Sequence, residues 1–216
     1  DILMDRQPKD WDIATNAKPE EIQKIFPDSV YENKFGTVAV KSAISNQQSA
    51  ISIVEITTFR LEGKYTDKRH PNEIKFAKTI EEDLARRDFT INAIAFNMGT
   101  SDVSNIDGDN RTSDVQNIID PFNGQNDIKN KTIRTVGNPE ERFNEDALRL
   151  MRAVRFAVEL NFTIEKKTAL ASFGLAGLLE VIAKERIRDE FIKILMTPRA
   201  EEGIQILEDT GLLRYI

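Results

Sequence analysis

Residues 142–157 read RFNEDALRLMRAVRFA. Taken as a helix, this stretch sets Asp146 and Arg149 three positions apart, on one face with Cβ atoms about 5–6 Å apart. Arg152 and Arg155 continue the row at the same interval. An aspartate beside an arginine offers acceptors and donors in one plane, which suits the hydrogen-bonding edge of a nucleobase. The plainer reading is an ion pair that stabilises the helix by a few tenths of a kcal/mol. Three arginines in file invite phosphate unless acidic partners neutralise them.

Working outward, everything from Pro139 reads as helix: 138–160, 163–182, 183–196 and 198–215. The preceding part is mixed. Residues 1–7 read as a short helix or turn stopped by Pro8, and KDWDIA (9–14) as a strand. TNAKPEEIQKIF starts a helix, with Thr15 or Asn16 as cap, Pro19 and Glu20 in the first turn, and Ile22, Ile25 and Phe26 as its apolar stripe. FGTVAVKS and ISIVEITTFR are rich in β-branched residues and predict paired strands joined at AISNQQSA. Residues 60–79 predict a loop with a short strand near EIKFAK, and 80–97 a helix bent near Arg87–Thr90. Residues 97–118 are polar and indefinite. IIDPFNGQNDIKNKTIRTVG predicts strand, turn and short strand. The fold class is therefore α+β: a mixed head over residues 1–120 and a helical unit over 121–216.

The head opens with two carboxylates, Asp10 and Asp12, flanking Trp11. In a strand, residues i and i+2 point to one face, so the two would converge, and a divalent cation is the strongest counter-charge. A polar turn or solvated strand face is the alternative. Glu55 shares parity with Thr57 and Phe59 on the later strand and can join the aspartates as a third ligand, or else form a surface salt bridge. In RRDF, Arg86 and Arg87 suit phosphate oxygens and Asp88 a ribose hydroxyl; an ion-paired helix surface explains them equally well.

Composition narrows the chemistry. The chain has 216 residues, no cysteine and one histidine, His70. Disulfides, thiolate zinc sites and histidine clusters are excluded, so any metal is held by oxygen, which points to Mg²⁺ or Mn²⁺. No stretch reaches the length of a membrane span, no signal peptide is visible, and the missing cysteines fit a cytoplasmic protein. Residues 1–120 hold 15 basic and 21 acidic side chains, a balance of −6, while 121–216 hold 15 of each. That balance argues mildly against a nucleic-acid binder unless a local patch supplies the positive field. Starting at Asp1 without methionine and ending on the apolar TGLLRYI, the chain reads as a fragment.

PKDWDIATNAKPEEI, VEITTFR, DLARRDFTINAIAFN, the run from DPFNGQND through RFNEDALRLMRAVRFA, and ERIRDEFIKIL follow one another along nearly the whole chain. In order and spacing they resemble bacterial CCA-adding enzymes, the class II tRNA nucleotidyltransferases, a group that also includes bacterial poly(A) polymerases. RRDFTINA and RFNEDALRLMRAVRF carry most of the specificity.

The resemblance implies a nucleotidyltransferase head, a mixed sheet flanked by helices that lacks its first strand here, then a helical neck and the start of a body domain. It implies that Asp10 and Asp12 bind metal, with Glu55 as a third acidic residue. Arg87 and Asp88 would meet the incoming nucleotide, Asp146 and Arg149 would hydrogen-bond the cytosine or adenine edge, and Arg152 would lie near the nucleotide, with Arg155 available for packing. The loop GKYTDKRHPNEIKFAKT resembles the family's flexible loop, with Asp67 and Arg69 at its acidic and basic positions; His70 reads as solvated. The family's Gly-Gly-x-Val-Arg segment, the rest of its body and its tail have no counterpart in this sequence.

The expected activity is metal-dependent transfer of CMP and AMP from CTP and ATP to the 3′ end of tRNA. An A-adding enzyme or a poly(A) polymerase is the enzymatic alternative, and a non-catalytic RNA-binding or structural fragment the alternative of another class. Oligomeric state is left open.

Overall fold

The structure, a computed structural model, describes residues 2–8, 11–32, 36–42, 52–61, 75–98 and 117–216. Asp10, Asp67, Arg69 and His70 lie outside the described residues, as does the connection over 43–50. The chain forms two compact units that divide between Arg86 and Arg87.

In the first unit, β1 (Ile13–Thr15), β2 (Val30–Glu32), β3 (Thr37–Ser42) and β4 (Ser52–Thr58) form a sheet in the order β1-β4-β3-β2. β1 runs parallel to β4, and the other pairs are antiparallel. The sheet is thus mixed, and β3 and β4 pair as their β-branched composition predicts. α1 (Pro19–Ile25) covers one face. Its backbone starts at Pro19, preorganised for the first turn, and Glu21 Oε2 accepts from Lys18 N at 2.7 Å. The cap is therefore Lys18 rather than Thr15 or Asn16. Ile22 packs on Val38, Val40 and Ile56, whereas Ile25 and Phe26 are exposed, so the apolar stripe is narrower than predicted.

The strand expected over 9–14 begins only at Ile13, where the parallel ladder with Ile56 starts. Pairing decides its extent, and aspartate is a poor strand former without it. β2 is three residues long, too short for a periodic signal. Arg60 and Phe76 form an antiparallel bridge, which supplies the short extended piece expected near EIKFAK. α2 (Ile80–Ala85) opens with a capping box in which Thr79 Oγ1 accepts from Glu82 N and Glu82 Oε2 accepts from Thr79 N, each at 3.4 Å, with Lys78 N donating to the same Oε2 at 2.8 Å.

The helix predicted over 80–97 ends at Ala85. In the second unit, Thr90–Asn92 form a 3₁₀ turn. Long-range backbone bonds replace the helical ones: Phe89 bridges Thr135, and Thr90 N donates to Arg134 O at 2.9 Å. β5 (Ala95–Phe96) pairs with β6 (Ile118–Ile119). α3 (Gly124–Lys129) occupies part of the segment read as a turn. Its first N–H groups are taken by a side chain outside the helix, since Asp120 accepts from Gly124 N at 2.7 Å and Gln125 N at 2.9 Å. β7 (Thr132–Ile133) pairs in parallel with β8 (Thr163–Ile164).

The helical run follows from Pro139 but departs from the prediction in four places: it breaks at Asp146, Thr163–Ile164 form β8 instead of opening a helix, and Ala176–Val181 and Leu212–Tyr215 are 3₁₀ turns. α4 (Pro139–Glu145) stops at Asp146, whose backbone is extended, and α5 (Leu148–Leu160) begins after it. α6 (Lys166–Leu175), α7 (Lys184–Leu195) and α8 (Ala200–Asp209) complete the unit. Leu150, Met151, Val154 and Val158 of α5 form one buried cluster with Leu179, Ile187, Ile194, Leu207 and Leu212. Among the described residues no helix is long and apolar enough to cross a membrane.

Candidate functional site

The candidate metal ligands belong to the first unit. Asp12 and Glu55 are both exposed. The register Ile13↔Ile56, extended back by one residue, aligns Asp12 with Glu55. Neighbours in register share a sheet face. Val54 and Ile56 have the opposite parity, and Ile56 packs with Ile22 of α1, so Glu55 belongs to the face that α1 leaves open. Both carboxylates lack a hydrogen-bond or ion-pair partner among the described residues, and such hard oxygen donors fit Mg²⁺ or Mn²⁺. No three acidic or histidine side chains gather as a metal site among the described residues, and Asp10 lies outside them. Asp12 precedes β1, so its alignment comes from the flanking ladder rather than from a position inside a strand.

The second unit joins two blocks that are distant in sequence. Asp88 and Arg152 form a two-pronged salt bridge, with Arg152 Nε at 2.7 Å and its terminal nitrogen at 2.6 Å from Asp88 Oδ2. Asp88 Oδ1 accepts from Phe89 N at 2.9 Å and from Asn92 Nδ2 at 3.2 Å. Both oxygens are thus engaged, and Asp88 is only 8 % exposed. The geometry makes it an anchor for the arginine rather than an open acceptor. Phe89 meets Phe156 edge to face at 5.7 Å, and the Arg152 and Arg155 guanidinium groups lie 5.3 and 4.2 Å from the Phe156 ring centre. Arg87 is half-buried at the start of this segment.

Asp146 and Arg149 do not share a helical face as predicted, because Asp146 sits in the break between α4 and α5. Asp146 Oδ1 accepts from Leu148 N at 3.0 Å, and Oδ2 accepts from Arg186 of α7 at 3.1 Å. Arg149 donates to Glu145 Oε2 at 2.5 Å and to Arg142 O at 2.9 Å. A short acidic side chain at a helix start satisfies free N–H groups, and this local competition explains the break. The arginine row is neutralised: Arg149 by Glu145, Arg152 by Asp88, and Arg155 by Glu159 and by Glu190 at 2.7 Å.

Sequence reasoning singled out neither Arg186 nor Asn92, Asp127 or Arg134. Arg186 lies in the ERIRDEF block, but an arginine within a charged helix has no local signal for its partner forty residues upstream. A shallow cavity of about 350 Å³, lined by Lys184, Glu185, Ile187, Arg188, Phe191 and Ile216, shares no residue with the candidate set.

With a mixed sheet carrying open-face carboxylates and a helical unit tied to RRDF, comparison with known proteins gives a consistent answer. Residues 1–134 match the poly A polymerase head domain, and 161–216 match a probable RNA- and SrmB-binding site of polymerase A. The chain belongs to the poly(A) polymerase head-domain family. It is similar to the CCA-adding enzyme of Lactococcus lactis, with 45% identity over 100% of this chain and 50% of that protein. The CCA-adding enzyme of Lactobacillus helveticus is 43% identical over 98% of this chain and 48% of its own length. The chain thus spans about half the length of the curated relatives it matches. Among solved structures, the Bacillus stearothermophilus CCA-adding enzyme in complex with CTP matches with TM-score 0.80 and 39% identity, over 100% of this chain and 47% of that one. The Thermotoga maritima CCA-adding enzyme complexed with tRNA_CCA matches with TM-score 0.73 and 25% identity, over 99% and 45%.

Proposed function

We propose that the protein adds CMP and AMP, taken from CTP and ATP, to the 3′ end of tRNA without a nucleic-acid template. The observation that carries this reading is the match to the Bacillus stearothermophilus CCA-adding enzyme with CTP, over 100% of this chain at 39% identity. In the reaction the 3′ oxygen bonds to the α-phosphorus, the α–β phosphoanhydride bond breaks, pyrophosphate leaves and the hydroxyl proton passes to solvent.

Asp12 and Glu55, with Asp10, would hold Mg²⁺ or Mn²⁺. A bound divalent ion would acidify the attacking hydroxyl and neutralise the triphosphate. Arg87 would meet phosphate oxygens as a planar fork. Arg152, held by Asp88, would present its remaining donors beside the nucleotide. Asp146 and Arg149 would read the cytosine or adenine edge, each oriented by its own partner, Arg186 and Glu145. Asp67 and Arg69 would serve the switch from cytosine to adenine. We assign residues 1–120 to the nucleotidyltransferase head and 121–216 to the neck and the start of the body, in a cytoplasmic enzyme.

Incorporation of CTP, ATP, UTP and GTP by wild type and Asp146→Ala tests the base-reading role. The variant should lose discrimination among the four while keeping its dependence on Mg²⁺. Incorporation of each of the four by Asp146→Ala in the same proportions as by wild type would exclude the role. The family's own description, a poly A polymerase head domain, favours A addition or poly(A) synthesis as the second reading.

A further inference from the structure

We infer that buried Thr90 and Asp127, with half-buried Arg134, form a clasp that positions the 88–92 segment, and through it the Asp88–Arg152 pair, for nucleotide binding. The inference rests on the nucleotide-binding role proposed above. Asp127 is 6 % exposed. Its Oδ2 accepts from Thr90 Oγ1 at 2.5 Å, from Arg134 Nε at 3.0 Å and from the Arg134 terminal nitrogen at 2.7 Å. That terminal nitrogen also donates to Phe122 O at 2.8 Å. The backbone repeats the grip: Thr90 N donates to Arg134 O at 2.9 Å, and Val136 N to Asp88 O at 3.1 Å. Behind it, α3 presses against the carbonyl of Thr90 at Gly124.

Two features separate a positioning device from ordinary core. An ion pair whose carboxylate is buried is weak as a source of stability, because desolvation of that group offsets the attraction. Its distinctive contribution is direction, since charge-assisted forked bonds fix orientation as well as distance. Here the direction is imposed on Thr90, two residues from the carboxylate that holds Arg152. Side chains that support a binding group tighten binding without touching the ligand.

The test uses Thr90→Val, which keeps the shape and removes the donor, and Thr90→Ser, which keeps the donor. Calorimetric titration of the whole chain with CTP and Mg²⁺ gives Kd, thermal melting reports folding, and exchange of the Arg152 Nε proton reports the Asp88 pair. We expect about a tenfold weaker Kd and faster Nε exchange in Thr90→Val at a temperature where it is fully folded, and recovery of both in Thr90→Ser. A folded Thr90→Val with wild-type Kd and Nε exchange would overturn the clasp while leaving the nucleotide site standing. If Thr90→Val does not fold, Thr90→Ser with a weakened Kd would overturn it, and Thr90→Ser at wild-type values alongside a weakened, folded Asp127→Asn would support it. Absence of CTP binding by wild type would overturn the nucleotide-binding reading and the clasp with it.

Discussion

Asp88 and Arg152, 64 residues apart in sequence, are locked together by two nitrogen–oxygen contacts of 2.7 and 2.6 Å to a single carboxylate oxygen. The other oxygen is held by Phe89 N and Asn92 Nδ2. The pair fastens the RRDF segment to α5, so one contact serves both the packing of the second unit and the aim of an arginine.

Arg152→Ala removes the fork and leaves a buried carboxylate with two donors of its own. Hydrogen bonds to charged groups contribute about 1.5–3 kcal/mol, and a loss in that range is expected in urea titration. Arg152→Lys should recover part of the stability but not the bidentate geometry.

Gly124→Ala is expected to be among the most damaging small substitutions in the second unit. An added Cβ would lie 2.1 Å from Thr90 O and 2.8 Å from its carbonyl carbon, and backbone cannot yield as a flexible side chain does. The loss should reach or exceed the upper end of the ~1–3 kcal/mol typical of overpacking. Gly137→Ala is the control: it meets nothing within 4 Å and carries only the strain of φ +71°, about 1–2 kcal/mol. Denaturant midpoints of the two variants check the order.

Glu190 is 4 % exposed and joins α7 to Arg155 of α5 at 2.7 Å, with Lys193 as a second partner at 2.8 Å. Glu190→Ala leaves Arg155 without its buried counter-charge. Breaking one side of a buried pair costs about 3–5 kcal/mol, and because Arg155 keeps Glu159 and the Phe156 ring, the lower end is expected in thermal unfolding.

Asp12→Ala should separate folding from chemistry. Asp12 is exposed and makes no hydrogen bond among the described residues, so stability should stay within about 0.5 kcal/mol. Nucleotide transfer should fall by more than about 100-fold, beyond what loss of an outer-shell partner costs. A steady-state rate assay with Mg²⁺, beside a melting curve, checks both halves.

How far these features were legible in the sequence depended on whether their cause was local. The β3–β4 pair and the helices after Pro139 came from periodicity and β-branched composition, and the mixed head followed from their order. α3 was missed because its cap is Asp120, four residues ahead of Gly124 rather than adjacent to the helix. Asp146 was read into a helix because a lone aspartate inside a helical pattern does not reveal that its carboxylate takes Leu148 N. The row of arginines was visible, but its neutralisation was not: Asp88 and Glu190 reach it through tertiary contacts. Asp12 and Glu55 were grouped by strand parity, and the parallel register that aligns them could not be read from either strand alone.

The central claim is tested most directly by reading what is added to a tRNA whose 3′ CCA has been removed. The chain, alone and completed with the segments of the Lactococcus lactis relative that it does not cover, would be supplied with CTP, ATP and Mg²⁺, and the tRNA 3′ ends sequenced. The account predicts extension by C, C and A, ending there and lost in Asp12→Ala. No extension in either form, or a run of A without C, would contradict it.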